Sequence, residues 1–194
     1  MKKIKISIVK NLKDKDDIKK ICKLKDEEWK YGITSQLEWF KKFVSSRDVH
    51  LILKKNGIII GYLLLRERKF NYKINERKFG NYYLFDSFII KKKFRKRGYG
   101  SRLMNAAKKI IKKKNYFSIL TSNKKKINYY EKNGWKITNK IMVLDYHDKW
   151  TKLIFNRKTN KFLNIYFKPK NIILFNIIKL LFIFSIILLV RFLR

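Results

Sequence analysis

The sequence predicts an α/β fold of the mixed α+β kind: a central mixed sheet flanked by helices, with a hydrophobic helix at its C-terminal end. Three observations carry the prediction. Two β-rich runs meet at Asn56-Gly57, a dipeptide that strongly favours a two-residue hairpin turn. Stretches with apolar residues at helical spacing precede and follow them. Finally, nineteen residues from Ile172 to Val190 carry a single charge, Lys179.

Residues 3–9, "KIKISIV", alternate polar and apolar side chains and predict the first strand. "KDKDDIKKICKLKDEEW" and "SQLEWFKKFVSS" read as two helices, the second with Ser35 placed to cap it and Glu38 three residues on. "VHLILKK" and "IIIGYLLLRER" are the hairpin strands. A basic loop over 66–80 leads to a fourth strand, "YYLFDSFII", at 82–90. "SRLMNAAKKIIKKK" keeps its apolar residues on one helical stripe with lysines opposite, and Ser101 is expected to open that helix. Then come a strand "YFSILTS", a short helix "KKINYYEKNGW" stopped by Gly134, and a strand "WKITNKIMVLD". The organisation expected is a folded domain over 1–150, a basic linker or extra strands over 151–170, and the hydrophobic segment 171–194.

The formal charge of +36 from 50 basic and 14 acidic residues ordinarily points to nucleic acid. Forty of those cations are Lys, and Ile and Asn are frequent as well, as codon drift in an AT-rich genome would produce. With no stacking or helix-turn-helix signature, nucleic acid is set aside as a partner. The lone Cys22 rules out an internal disulfide and a cysteine-based zinc site, and His50 and His147 are too few for a histidine cluster, so no metal is expected. Each histidine is expected to be a surface or satisfied core residue. As a helix, 172–190 would be about 28 Å long, close to the hydrocarbon thickness of a bilayer. The expectation is a membrane anchor through 172–190 with the folded domain in the cytoplasm, against a buried helix or an apolar dimer seam. Positive residues on both sides leave its orientation open.

The stretch richest in chemistry is "FRKRGYGSRLM", at the junction of a strand and a helix. Gly98 and Gly100 clear side chains from a tight loop, so that successive backbone N–H groups and a helix N-terminus can face one anion. Any phosphate would satisfy that physics. A Walker loop is absent, and a third glycine for a dinucleotide fingerprint is missing. What remains, Arg95-x-x-Gly98-x-Gly100, resembles the pyrophosphate loop [Q/R]-x-x-G-x-[G/A] of the GNAT superfamily of acyl-CoA-dependent N-acyltransferases. "SNKKKINYYEKNGWK" resembles the same family's later segment through Asn123, Tyr130, Glu131, Gly134 and Trp135. Lys92 and Lys96 depart from it, standing where proline and glycine are frequent.

The resemblance implies fourth and fifth strands that splay around acetyl-CoA, the acyl donor. Backbone of Phe88, Ile89 and Ile90 would pair with the pantetheine arm, and Asn123 would hydrogen-bond it. Amides of Arg95, Lys96, Arg97, Gly98, Tyr99, Gly100 and Ser101 would hold the pyrophosphate, Arg95 and Arg97 adding charge. Tyr130 would contact the donor and protonate the departing thiolate; the other reading is a core aromatic. Asp86, charged inside a strand, is either the base or amine-binding residue or a surface or salt-bridged carboxylate. Strict alternation puts it on one face with Phe88 and Ile90. Glu28, Trp29 and Tyr31, with neighbouring Glu27, fall where the family shapes its acceptor pocket. The implied acceptor is a small-molecule amine, an amino sugar or similar; the alternative reading is a non-catalytic CoA-binding or basic nucleic-acid-binding protein at a membrane.

Overall fold

A computed structural model describes residues 4–71, 79–139, 141–143, 151–156 and 163–165. The alternating first segment forms β1 (Ile4–Lys10), an edge strand antiparallel to β2 (Val49–Lys55) with Ile4 opposite Lys55. β2 turns through Asn56 and Gly57, both at positive φ, 50° and 79°, the backbone a type I′ hairpin needs. It continues into β3 (Ile58–Asn71) and then β4 (Phe79–Ile90), both longer than their apolar runs suggest. Their ladder extends to Asn71 opposite Phe79, so most of the expected basic loop is strand; residues 72–78 lie outside the described part.

Two helices connect β1 to β2. α1 (Lys15–Trp29) begins at Asp14, whose side chain accepts the Asp17 N–H at 2.8 Å, a cap that satisfies an otherwise orphan donor. α2 (Ile33–Phe43) begins earlier than Ser35: Gly32, at φ 83°, is its N-cap residue, and Ser35 lies inside the first turn. The capping expectation fails because the chain leaves α1 through Lys30, left-handed at φ 53°, and Gly32, its N–H held by Asp26 Oδ1 at 2.7 Å, already starts the next helix. α3 (Tyr99–Lys113), β5 (Ser118–Ser122) and α4 (Ile127–Lys132) follow, with single 3-10 turns at Lys92–Phe94 and Lys124–Lys126.

The expected strand over 135–145 is instead two short ones, β6 (Lys136–Ile137) and β7 (Ile141–Val143), with different partners. Beyond residue 150 the chain rejoins the same sheet. β8 (Thr151–Phe155) lies antiparallel to β5 and β6, and β9 (Leu163–Ile165) pairs β3 and β7. The described strands form one nine-stranded mixed sheet in the order β1-β2-β3-β4-β5-β8-β6, with β7 and β9 beside it.

Alternation along the strands feeds three apolar clusters, two of which are covered by helices. On one face Leu51, Leu53, Leu63 and Leu65 pack under Leu103, Met104, Ala107 and Ile111 of α3 and Tyr130 of α4. On the other, Ile52, Tyr62 and Leu64 meet Ile21 and Leu24 of α1. Each fully buried Leu or Ile contributes about 1.5–3 kcal/mol, so both helix layers are held by their apolar stripes.

Alternation fails at one place. Opposite Tyr62 stands Ile89, but opposite Leu64 stands Asp86, so β4 has one extra residue there, and Ser87 sits at φ 51°. This bulge flips the side-chain parity. Asp86 shares the α1–α2 face with Leu84 and Ile89, while Phe88 and Ile90 join Phe85 beneath α3, which corrects the grouping of Asp86 with Phe88 and Ile90. The apolar segment 172–190 and His147 lie outside the described residues. Among the described residues, no helix is long and apolar enough to cross a membrane.

Candidate active site

β4 and β5 are joined only by Tyr83–Ser118 and Leu84–Ile119, after which they part. Their divergence opens a cleft of about 370 Å³. Phe85 to Phe88 form one wall and Leu120 to Asn123 the other, with Tyr130 and Lys126 of the α4 segment and Trp29 at the end of α1. β4 therefore exposes unladdered backbone beside a concave space, which suits an extended ligand carrying amides of its own.

At one end of the cleft the chain leaves β4 and starts α3. Gly98 is the N-cap residue of α3 at φ 75°, with nothing within 4 Å of where a Cβ would stand. The first helical bond runs from Arg102 N–H to Gly98 O, which leaves the amides of Tyr99, Gly100 and Ser101 as unpaired donors at the positive end of the helix dipole. The helix thus opens at Tyr99 and not at Ser101; glycine alone reaches the left-handed cap without strain. Lys96 also lies left-handed, at φ 58°, which explains the preference for glycine at that position of the motif. A Cβ on Gly100 would stand 3.2 Å from Tyr129 Oη and 3.6 Å from Phe88 Cζ, so the aromatic pair packs directly against this turn. Open space, orphan amides and a left-handed glycine fit a pyrophosphate.

A family model for the GNAT acetyltransferase family matches residues 18–135. The chain belongs to that family. No curated relative matches it by sequence. Among solved structures it is similar in fold to an acyl-CoA N-acyltransferase from Pseudomonas aeruginosa, at 12% identity over 79% of this chain and 99% of that one, with a TM-score of 0.58. A paia N-acetyltransferase from Thermoplasma acidophilum in complex with coenzyme A matches at 18% over 80% and 99%, TM-score 0.53. The aminoglycoside N-acetyltransferase AAC(6')-Iy in complex with CoA matches at 14% over 77% and 97%, TM-score 0.57. This GNAT protein is an acyl-CoA-dependent acetyltransferase.

The cleft gathers some of the sequence-predicted residues and leaves others out. Asp86, Phe88, Asn123, Tyr130 and Trp29 line it, whereas Glu28 and Tyr31 do not. Tyr31 projects to solvent, 69% exposed, and Glu28 turns toward the phosphate loop. Its carboxylate pairs with Arg95 and lies 3.6 Å from Lys126 Nζ, while Arg95 Nε also donates to Ile90 O at 2.8 Å. Burial raises the Glu28 carboxyl, but Arg95 and Lys126 outweigh it and hold the group below the usual carboxylate range. Neighbouring Glu27 pairs with Lys91 at 2.9 Å.

Asp86 is a salt-bridged carboxylate. Arg66 Nη1 donates to its Oδ2 at 2.8 Å and Ser87 Oγ to its Oδ1 at 3.2 Å. Burial pushes the Asp86 carboxyl up, yet Arg66, Lys25 and Ser87 together bring it below its ordinary value. Lys25 is only 4% exposed, with its Nζ 3.4 Å from the centre of the Trp39 ring, and burial pulls its ammonium down to about 8 against the opposing pull of Asp86. Tyr130 is a core neighbour of Phe85 and Trp135 as well as a cleft residue. Its burial, with Tyr129 alongside, pushes the phenol well above its usual range.

Sequence reasoning missed Arg66, Ser87, Thr121, Ser122 and Lys126 of the lining. Arg66 has no local signature, since only the β3–β4 register brings it beside Asp86. His50 also departs from expectation. It is buried between Phe40 and Tyr62, with Nδ1 2.8 Å from Tyr62 Oη, but Nε2 has no partner. Among the described residues, no three His, Cys, Asp or Glu side chains gather to hold a metal ion.

Proposed function

We propose that the protein transfers acetyl from acetyl-CoA to the primary amine of a small molecule, an amino sugar or similar, by direct attack. The observation carrying this reading is the splay of β4 from β5 directly in front of the amide-rich start of α3. That arrangement suits a long ligand whose anionic end rests on Arg95 to Ser101, while its arm follows Phe88, Ile89 and Ile90 and meets Asn123. The donor supplies an activated thioester; the residues of the chain supply orientation and proton transfers.

The amine nitrogen forms a bond to the thioester carbonyl carbon, and the carbon–sulfur bond breaks. A β4 backbone N–H freed by the splay stabilises charge developing on the carbonyl oxygen. Tyr130, kept protonated by burial, gives its proton to the departing thiolate. Asp86, kept ionised by Arg66, attracts the incoming ammonium more readily than it accepts a proton. We therefore assign it to amine binding, with Trp29 beside it, and let the amine proton leave to water in the cleft.

A panel of amines assayed for CoA release, alongside calorimetry with acetyl-CoA, tests this reading. The expected result is acetyl-CoA binding with turnover on one amine class. No binding together with no turnover overturns it. The apolar run 172–190 supports a second element, a membrane anchor. Carbonate-resistant pelleting with membranes is the expected result, and full extraction by carbonate sinks it.

A further inference from the structure

We propose that the outer face of the α3–α4 layer docks onto an anionic lipid bilayer. The charge of the chain is divided between the two faces of the sheet very unevenly. Residues 11–48, which supply α1 and α2, carry 10 cations and 8 acids. Residues 91–136, which supply α3, β5 and α4, carry 17 cations and one acid, Glu131. Codon drift toward lysine acts on every segment alike and does not explain such a partition.

Acyl-CoA binding explains only part of it. The phosphate loop uses the start of α3, but Lys112 and Lys113 lie at the other end of that helix, about 20 Å away by helical rise. Packing fixes where they point: Leu103, Met104, Ala107 and Ile111 face the sheet, so Arg102, Lys109, Lys112 and Lys113 are exposed outward. Lys125 and Lys132 add to the same layer from the α4 side and are exposed as well. No ion pair involving these six is found among the described residues.

Lysine supplies 14 of the 17 cations. Mobile point charges suit a diffuse sheet of headgroups, whereas nucleic-acid recognition favours arginine forks and stacking aromatics. The choice of a bilayer over RNA also rests on the anchor reading of 172–190, which would hold the domain within reach of such a surface. Each lysine near an anionic surface raises partitioning roughly fivefold, so a few suffice to orient the domain.

The test uses the full chain in flotation with vesicles of phosphatidylcholine alone or mixed with phosphatidylglycerol, at low and high salt. The wild type and a control carrying Lys15→Glu, Lys19→Glu and Lys23→Glu on α1 should prefer the anionic vesicles by more than about tenfold at low salt, and lose that preference at high salt. Lys109→Glu, Lys112→Glu and Lys113→Glu together should abolish it. The same three positions changed to Gln, with an unaltered melting transition, should weaken it in the same direction, which separates docking from misfolding. Equal recovery with both vesicle types, equal loss in the α1 and α3 variants, or tighter salt-dependent binding to an RNA duplex than to the vesicles overturns the proposal. The anchor reading fails separately, through carbonate extraction, which does not depend on lipid charge.

Discussion

Arg66 on β3 reaches diagonally across to β4 and donates from Nη1 to Asp86 Oδ2 at 2.8 Å, with the guanidinium 7% and the carboxylate 28% exposed. Burial alone would raise the Asp86 carboxyl; the pair reverses that direction. The depressed value means that Asp86 stabilises the fold above its unfolded pKa, and the contribution is lost as pH falls through the lower folded value. Arg66→Met leaves burial unopposed apart from Lys25 and Ser87. The expected outcome is an acid limb of kcat/KM moved up by about one pH unit or more, with a stability loss of up to about 3 kcal/mol. A pH–rate profile measured beside urea melts checks both, and an unmoved limb would remove Asp86 from amine binding.

Tyr130→Phe isolates the phenol from the aromatic cluster around it. The ring contacts with Phe85 and Trp135 remain, so the melting temperature should barely change. Loss of the acid should lower kcat by about 10²–10⁴-fold, with KM for acetyl-CoA nearly constant. Because burial lifts this phenol well above its usual range, the wild type should show no basic limb from Tyr130 up to its ordinary pKa of 10. Turnover equal to the wild type would assign Tyr130 to the core alone.

The parts of this fold legible in the sequence are those written in local patterns. Asn56-Gly57 specifies its own turn, the apolar stripe of α3 specifies its buried side, and Arg95-x-x-Gly98-x-Gly100 marks its loop because only glycine reaches φ 75° without strain. Ser87 carries no such mark. A bulge is set by how β3 and β4 register, and serine at φ 51° is not a residue type that announces it, so alternation put Asp86 on the wrong face. The Arg66–Asp86 pair and the Glu28–Arg95 pair were invisible for the same reason: partners twenty and sixty-seven residues apart meet only through tertiary structure. Ser35 misled because the chain leaves α1 so tightly that α2 already starts at Gly32, which leaves Ser35 inside the first turn.

The two glycines of the phosphate loop should respond differently to a methyl group. Gly98→Ala meets no atom within 4 Å but is forced to hold φ 75°, a cost of about 1–2 kcal/mol. Its strain is relieved by reshaping the cap, so acetyl-CoA affinity should fall by more than about tenfold as the amide cradle is lost. Gly100→Ala sits in regular helix and meets Tyr129 Oη at 3.2 Å, which asks that hydroxyl to shift by a few tenths of an ångström. The helix gains about 0.5–1 kcal/mol from alanine, so stability and affinity should stay close to the wild type. Melts and calorimetry on both variants decide the matter; equal effects would mean that the left-handed backbone at Gly98 does not govern the loop.

His50 is fully buried beside Tyr62, and burial lowers its imidazole from 6.5 to about 4, against a weaker opposing pull from Asp48. The folded state therefore excludes a proton that the unfolded chain accepts below pH 6.5. Stability from this group is complete above that pH and is lost as pH falls toward 4, a total of about 3 kcal/mol. His50→Phe removes the titration and leaves the Tyr62 hydroxyl without its partner, a cost of about 1–3 kcal/mol at neutral pH. The variant should be the weaker protein at pH 7 yet lose less stability on acidification, so that the two curves converge between about pH 6.5 and 4. Urea melts across that range measure the slopes. Parallel curves would show that the buried imidazole takes up its proton without opposing the fold.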